Sequence, residues 1–219
     1  MAWTNQYIPL VQQSNERILE ELRGEFPEDG IASFRKLCSK YKSIALEIGS
    51  GSGMHLLQQA EHSPNTLFVG FELRYKRAFR TIEKAVQRGL ENIFMVRGDA
   101  RKVEELFKRE ELDKIYIRYP DPWGKERWKK HRLVQSGYIS ILLELLKTNG
   151  ELSFRTDHRE YFLSGMSHLK SFKALEAIEY SEDLAKEQGD RFQPSSEFEL
   201  LFISQKKPIH HCTLRKQTP

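Results

Sequence analysis

The segment from Ile115 to Leu133, IYIRYPDPWGKERWKKHRL, carries the side chains best suited to chemistry. It begins as an apolar β-like run, continues through a Pro-Asp-Pro-Trp corner and ends in a dense basic and aromatic cluster. A proline on each side of Asp121 restricts the backbone, so its carboxylate is held in a fixed place after a strand. Lysine and arginine at this density neutralise phosphates. A fixed carboxylate beside a phosphate-binding patch predicts chemistry on a nucleic acid.

Each half of this segment has an alternative interpretation. Asp121 could belong to an ordinary surface Pro-Asp turn, although an exposed turn has no need of the flanking Tyr119 and Trp123. Trp128 is placed to stack on an unpaired base, as in single-stranded RNA readers. The alternative for the cluster is a solvated basic loop. Its candidate RNA-binding residues are Lys125, Arg127, Trp128, Lys129, Lys130, His131 and Arg132.

A second group of residues follows the first β-like run of the main domain, in the string Glu47-Ile48-Gly49-Ser50-Gly51-Ser52-Gly53. Glycines at alternate positions let the backbone turn sharply and approach a ligand closely. Gly49 and Gly51 fit the dinucleotide fingerprint, but its third glycine would fall on Met54. Three glycines at spacing two instead resemble the first motif of class I S-adenosylmethionine-dependent methyltransferases.

Two further carboxylates follow the next two strands. Glu72 is placed to accept both hydroxyls of a ribose, which a dinucleotide site would also require. Asp99, followed by Ala100, stands where methyltransferases commonly bind the adenine amine. Asp99 could instead only cap the next helix, and the glycine string could be a tight strand–helix connection. Because ligands of open α/β sheets bind at the carboxyl ends of the strands, three such features in succession favour a nucleotide-type site.

Apolar runs and helical patterns alternate in a way that would place these residues at strand ends. The pattern predicts five strands at 44–48, 67–71, 93–96, 114–119 and 151–156, with helices at 54–62, 74–88, 101–110, 135–147 and 159–171. Two late strands, 172–180 and 198–204, have only a polar loop between them, which predicts an antiparallel hairpin. The expected fold is α/β and Rossmann-like, with a doubly wound, mostly parallel, seven-stranded sheet that ends in this hairpin.

The sequence divides into a main domain with two flanking segments. The main domain spans 43–205, and residues 206–219 are expected to be a flexible basic tail. Residues 1–42 form an extension in which Ser14 is expected to begin a helix that ends at Arg23, before Gly24.

The composition limits the classes of protein. A net charge of +4, from 35 basic and 31 acidic residues, excludes a diffuse polycation, so nucleic-acid affinity must be local. The chain has no signal-peptide pattern and no apolar run near the ~20 residues that span a bilayer, so we expect a soluble cytoplasmic protein without a membrane partner. Cys38 and Cys212 suggest no disulfide framework. His210, His211 and Cys212 have no second ligand cluster, so we expect no metal.

The motifs occur in the order seen in the bacterial tRNA (guanine-N7-)-methyltransferase family, TrmB, which the chain closely resembles. The resemblance extends from Glu47 to Glu199. It rests on the strings Glu47–Gly53, Gly70-Phe71-Glu72, Gly98-Asp99-Ala100, Tyr119–Arg132, Thr156-Asp157 and Ser196–Glu199. The departures are Tyr119 for phenylalanine, Gly124 for proline, Trp128 for histidine and Ser196 for threonine.

The resemblance implies a role for each matched residue. S-adenosylmethionine would be bound by Glu47, Gly49, Gly51, Gly53, Glu72, Asp99, Ala100 and Asp121, and Asp121 would also be the catalytic residue. Substrate would be bound by Lys125, Asp157, Ser196, Glu197, Phe198 and Glu199, and RNA by the run from Arg127 to Arg132. Asp157 and Glu199 are candidates to accept from the guanine edge. From spacing alone, Asp157 could equally be the N-cap of the 159–171 helix, and Glu199 the solvent face of a strand.

The expected activity is methyl transfer from S-adenosylmethionine to N7 of a tRNA variable-loop guanosine, at position 46, giving 7-methylguanosine. One alternative is a methyltransferase acting on an exocyclic amino group of another nucleic acid or of a protein. The other is a non-catalytic RNA-binding module, which would predict erosion of the four cofactor carboxylates. The tRNA is the expected partner, and the enzyme could be a monomer or a homodimer.

Overall fold

The computed structural model describes residues 5–218. Two segments, Ile18–Glu20 and His210–Lys216, are strands that the sequence pattern does not predict. The chain divides into two compact units, one ending at Leu106 and one beginning at Phe107.

The first unit is a parallel α/β arrangement. Its elements are α1 (Tyr7–Gln13), β1 (Ile18–Glu20), α2 (Glu28–Cys38), β2 (Ser43–Ile48), α3 (Met54–His62), β3 (Thr66–Phe71), α4 (Tyr75–Gln87), β4 (Ile93–Arg97) and a 3₁₀ helix (Ala100–Glu105). Its strands lie in the order β1-β4-β3-β2, and every neighbouring pair is parallel. Nearly every residue of β2, β3 and β4 is buried, as expected of parallel strands covered on both faces.

The second unit combines parallel and antiparallel pairing. Its elements are β5 (Leu112–Arg118), a 3₁₀ helix (Glu126–His131), α5 (Ser136–Leu145), β6 (Leu146–Thr156), α6 (Arg159–Lys170), β7 (Leu175–Ser181), α7 (Leu184–Gln188), a 3₁₀ turn (Gly189–Arg191), α8 (Glu197–Ser204) and β8 (His210–Lys216). Strands β5 and β6 are parallel, whereas β8 pairs antiparallel with both β6 and β7. The predicted mostly parallel α/β fold with antiparallel C-terminal strands is confirmed.

The N-terminal extension differs from its prediction. The helix expected from Ser14 to Arg23 is absent, and this segment instead contains β1, whose Ile18 and Leu19 are buried against β4. Arg23 and Gly24 both have positive φ and join Leu22 to Glu25 in a tight hairpin turn. Gly24 is therefore a turn residue, because burying two apolar side chains on a sheet edge outweighs helix propensity. Residues 1–4 of the predicted extension lie outside the described residues.

The C-terminal elements are also reassigned. Residues 198–204, expected as a strand, belong to α8, and the hairpin partner of β7 is β8. Strand β8 lies between β6 and β7 with Cys212 and Leu214 buried, so residues 206–218 are not a flexible tail. Pro219 lies outside the described residues.

The helix expected at 101–110 is only the 3₁₀ helix that ends at Glu105. Eight strands therefore occur within residues 5–218, rather than seven. In the same residues, no helix has both the length and the apolar character needed to cross a membrane.

Candidate functional site

The glycine string between β2 and α3 forms a tight loop. Gly49, Gly51 and Gly53 all have positive φ, between 57° and 72°, a conformation that is costly for other residues. A Cβ at Gly53 would lie 2.4 Å from the Thr81 side chain, so packing requires glycine there. A Cβ at Gly49 would have no atom of residues 5–218 within 4 Å, apart from its chain neighbours. The loop thus has one glycine fixed by its neighbours and one beside open space.

Glu47 and Glu72 are both buried where β2 and β3 end. Glu47 Oε2 lies 3.2 Å from Nδ1 of His55, a buried residue in the first turn of α3. Glu72 accepts hydrogen bonds from the backbone N–H of Gly51 at 3.0 Å and of Arg74 at 2.9 Å. Both carboxylates are therefore oriented by the protein itself. The sequence leaves His55 as either a surface residue or a residue that contacts a site side chain, and the structure shows the second.

Asp99 follows β4 and is held from two sides. Its Oδ1 accepts from the Arg101 N–H at 2.9 Å, so it does cap the 3₁₀ helix that begins at Ala100. Its own N–H donates to Glu21 Oε2 at 2.7 Å, and Lys102 pairs with Glu21 at 2.7 Å. Burial opposes ionisation of Glu21, but these bonds keep its pKa below its ordinary value. The segment after β1, which was expected to be helical, therefore positions the candidate adenine-binding residue.

The corner after β5 is conformationally strained. Tyr119 and Trp123, on either side of Pro-Asp-Pro, have φ of 49° and 44°, in the left-handed region that bulky residues rarely adopt. The Tyr119 N–H donates to the Arg155 carbonyl at 2.8 Å, which extends the β5–β6 pairing to this point. Asp121 is exposed and accepts no hydrogen bond from any residue between 5 and 218. Its carboxylate is therefore available to a ligand.

The basic cluster is only partly available to RNA. Lys125, Arg127, Lys130 and His131 are exposed. The indole of Trp128 has Lys125 Nζ at 4.7 Å and the Arg127 guanidinium at 5.0 Å from its centroid, so cations of the same chain already contact it. Lys129 pairs with Glu126 at 2.8 Å and Glu160 at 3.2 Å. Arg132 is buried.

Glu199 lies on α8 and is fully buried. Its Oε1 accepts from the Arg118 and Arg155 guanidinium groups and from the Tyr119 hydroxyl, and its Oε2 accepts from Ser195. Burial raises its pKa, but the two arginines outweigh this and bring it to about 2. Neither carboxylate oxygen is directed at solvent. The strand-face interpretation of Glu199 is wrong, and its contacts join α8 to the ends of β5 and β6.

The other residues of the C-terminal motif and Asp157 are placed as follows. Ser196 is the N-cap of α8, where its hydroxyl accepts from the Glu199 N–H at 3.1 Å, whereas Glu197 and Phe198 are exposed. Asp157 follows β6 and is half-buried. It is not the N-cap of α6, because His158 accepts the capping bond from Tyr161 N–H at 3.2 Å. Within the described residues, nothing donates a hydrogen bond to Asp157.

No group of three potential metal ligands occurs in residues 5–218.

A buried histidine beside Arg155 predicts a specific pH dependence of stability. His211 Nε2 lies 3.1 Å from Glu179 Oε2, and its Nδ1 accepts from Arg155 Nε at 3.5 Å. Burial, followed by the charge of Arg155, lowers the pKa of His211 to about 4. The unfolded chain takes up this proton near pH 6.5 while the folded protein does not, so stability falls as pH drops from about 6.5 towards 4.

We expect the free energy of unfolding, measured with urea, to decrease by about 2–3 kcal/mol over that interval. His211→Gln should flatten this dependence, whereas His62→Gln, which changes an exposed histidine on α3, should retain it. Equal stabilities of the natural protein at pH 6.5 and pH 4.5 would contradict a buried neutral His211.

Comparison with known proteins places the chain in a family. The model of the family Methyltransf_4, described as "Putative methyltransferase", matches residues 41–212. The tRNA (guanine-N(7)-)-methyltransferase of Clostridioides difficile is 30% identical over 174 residues, which cover 80% of each chain. That of Oceanobacillus iheyensis is 29% identical over 210 residues, covering 96% of this chain and 94% of its own. A bifunctional glycosyltransferase/methyltransferase of Fusobacterium nucleatum is 33% identical, but this chain spans only 27% of its length.

Solved structures show the same fold at low sequence identity. The 16S rRNA methyltransferase KamB superposes with a TM-score of 0.66 at 13% identity, covering 92% of this chain and 99% of that one. A 16S rRNA (adenine(1408)-N(1))-methyltransferase from Catenulisporales acidiphilia, solved with its cosubstrate SAM, gives 0.59 at 15% identity, covering 89% and 95%. These similarities confirm the Rossmann-like class I methyltransferase fold. The family model over residues 41–212 and the relative from Clostridioides difficile show that the chain belongs to the tRNA (guanine-N(7)-)-methyltransferase family.

Proposed function

We propose that this protein transfers a methyl group from S-adenosylmethionine to N7 of a guanosine in the variable loop of tRNA, position 46, giving 7-methylguanosine in the cytoplasm. The observation that carries the proposal is Asp121. No residue between 5 and 218 donates a hydrogen bond to its carboxylate, which lies on a rigid corner followed by exposed cations. It occurs in a chain whose relatives are named tRNA (guanine-N(7)-)-methyltransferases.

The residues after β2, β3 and β4 fit S-adenosylmethionine. The buried Ser50 hydroxyl has no hydrogen-bond partner within residues 5–218, and the space beyond Gly49 is open, so the loop can take a ligand without rearranging its packing. Glu72 accepts two backbone bonds but has lone pairs left for ribose hydroxyls. We assign the cofactor to Glu47, Glu72, Asp99, Ala100 and the glycine loop.

The chemistry at N7 needs positioning more than proton transfer. When bound, S-adenosylmethionine supplies an electrophilic methyl group on a sulfonium, which the N7 lone pair takes by in-line displacement. N7 carries no proton, so the protein needs no general base. The purine becomes positively charged, and the Asp121 carboxylate stabilises that charge as it develops. Rigid flanking residues keep the carboxylate in place, which lowers the cost of orientation.

Asp157 is the better candidate for the guanine edge. Its half-buried carboxylate has free acceptor capacity after β6, a parallel neighbour of β5, and can accept from N1–H and the exocyclic amine of guanine. Adenine has an acceptor at N1 and would be rejected. Glu199 has both oxygens occupied, so we assign it the support of Tyr119 and Arg155 rather than a direct base contact.

The phosphates of tRNA are assigned to the exposed members of the basic cluster, Lys125, Arg127, Lys130 and His131. Each such contact releases a counterion, so affinity should fall as salt rises. Trp128 can exchange its intramolecular cation contacts for a stacked base.

The test is to incubate the purified protein with radiolabelled S-adenosylmethionine and unmodified tRNA, and then to digest the RNA and separate the nucleosides. We expect the label in 7-methylguanosine, and expect it to be lost when guanosine 46 is replaced by adenosine. Label in another nucleoside would refute N7 as the acceptor. Binding of donor and tRNA without transfer would refute the enzymatic proposal.

A further inference from the structure

Arg132 differs from the rest of the basic cluster. Its side chain is only 2% exposed, whereas that of Lys129 is 32% exposed. Its Nε donates to the carbonyl of Pro122 at 2.8 Å, and its two terminal nitrogens donate to the carboxylate of Glu160 at 3.1 and 2.5 Å. Its donors are thus directed at the protein, and little of the side chain could reach a phosphate.

The carbonyl oxygen to which Arg132 donates belongs to Pro122, in the corner after β5. Pro122 directly follows Asp121, and the corner is bounded by Tyr119 and Trp123 in the left-handed region. Such conformations persist only where surrounding contacts enforce them. The hydrogen bond from Arg132 to the Pro122 carbonyl is one contact that can enforce the conformation at the Trp123 end of the corner.

Arg132 is in turn held by α6. Glu160 lies in the first turn of that helix, and hydrogen bonds from Arg132 and Lys129 lower its pKa to about 2, so it stays ionised. The guanidinium carbon also lies 4.7 Å from the ring centroid of Tyr161, which is fully buried. A planar guanidinium can make the paired bond, the Nε bond and the ring contact together, and an ammonium cannot.

We propose that Arg132 and Glu160 are positioning residues that fix Asp121 through the Pro122 carbonyl, and that Arg132 is not a phosphate contact. This inference rests on the proposed function for the role of Asp121. In the run from Arg127 to Arg132, the exposed residues Arg127, Lys130 and His131 are then assigned to RNA. Arg132 and its partner Glu160 form a separate pair, which we call the clamp.

The decisive variants are Arg132→Lys and Glu160→Gln. Arg132→Lys retains the charge that a phosphate contact needs but loses the clamp geometry, and Glu160→Gln leaves Arg132 in place but removes its anchoring charge. We expect each to lower the single-turnover methylation rate at saturating tRNA and donor by at least about tenfold, because displacement of a catalytic group by ~1 Å is costly. The dissociation constant for tRNA should stay within about threefold, with an unchanged salt dependence.

Two comparison variants and a second readout complete the test. Lys130→Ala, which removes an exposed cation, should weaken tRNA binding and reduce its salt dependence, and Lys173→Ala, on an exposed loop after α6, should behave as the natural protein. Amide hydrogen exchange of residues 119–133, measured without substrates, should be faster in Arg132→Lys and Glu160→Gln only. Because exchange needs no activity, it separates failure of the clamp from failure of the proposed function.

Two results would overturn the proposal. One is unchanged exchange and an unchanged saturated rate in both clamp variants. The other is a tRNA affinity and salt dependence in Arg132→Lys that change as they do in Lys130→Ala, with exchange unaffected, which would make Arg132 an RNA contact. A natural protein that forms no 7-methylguanosine would refute the proposed function, and the exchange data would still decide whether the clamp exists.

Discussion

Replacing Asp121 by asparagine should reduce methyl transfer at saturating substrates by about 10²–10³-fold, the usual effect of removing one electrostatic group aimed at a developing charge. Asparagine has nearly the same shape and can still accept a hydrogen bond, but it has no negative charge to stabilise the methylated purine. Since Asp121 is exposed and has no hydrogen-bond donor within residues 5–218, its loss should leave the unfolding midpoint nearly unchanged. Rates under single-turnover conditions, with the product nucleoside identified, provide the measurement.

Asp113→Asn is the matched control. Asp113 lies near the amino end of β5, the strand that Asp121 follows at its other end, and it pairs with Lys147 at 2.8 Å. The control should methylate at the natural rate. If Asp121→Asn kept its saturated rate but bound S-adenosylmethionine more weakly, Asp121 would be a cofactor-binding residue only, and the electrostatic role would be wrong.

Replacing Glu199 by alanine should destabilise the protein by about 3–5 kcal/mol, because the Arg118 and Arg155 charges would remain buried without their counterion. Chemical denaturation at pH 7 measures this loss. Glu199→Gln keeps the size of the side chain and part of its hydrogen bonding, so we expect a smaller but still large decrease. Such an effect follows from the full burial of Glu199 on α8.

Glu197→Gln, two residues earlier on the same helix, is the control for Glu199. Glu197 is exposed, so its replacement should change the free energy of unfolding by less than about 0.5 kcal/mol. A different result for Glu199→Gln would change the role assigned to Glu199. A Glu199→Gln protein of natural stability that also methylates other bases would show that Glu199 reads the guanine directly, against the contacts seen in the structure.

The candidate site residues could be named from the sequence because they occur as short local strings. Gly49, Gly51 and Gly53 can adopt the positive φ of a tight loop at little cost, and the prolines around Asp121 restrict its backbone without help from the rest of the chain. The alternation of apolar runs with helical patterns predicted β2 to β6 and the helices α3 to α6, since burial on both faces of a parallel sheet leaves a clear signal.

The errors lie where that signal is ambiguous. Residues 198–204 are apolar enough for a strand or a helix, but Ser196 followed three residues later by Glu199 is a helix-start signature that could have decided between them. Strand β1 has only three residues, and its pairing with β4 joins positions more than seventy residues apart. A local pattern cannot report such a pairing.

Sequence alone therefore determined the class of chemistry, and it predicted the candidate cofactor carboxylates and the corner that carries Asp121. The tertiary structure decided which charged residues are available to a substrate. Arg127 and Arg132 are both arginines of the same basic string, so the sequence does not distinguish them. In the structure, Arg127 is exposed and Arg132 is buried against Glu160. Glu197 and Glu199 differ in the same way. The physical reason is that the availability of a charge depends on burial and on partners distant in the chain, and these exist only once the chain has folded.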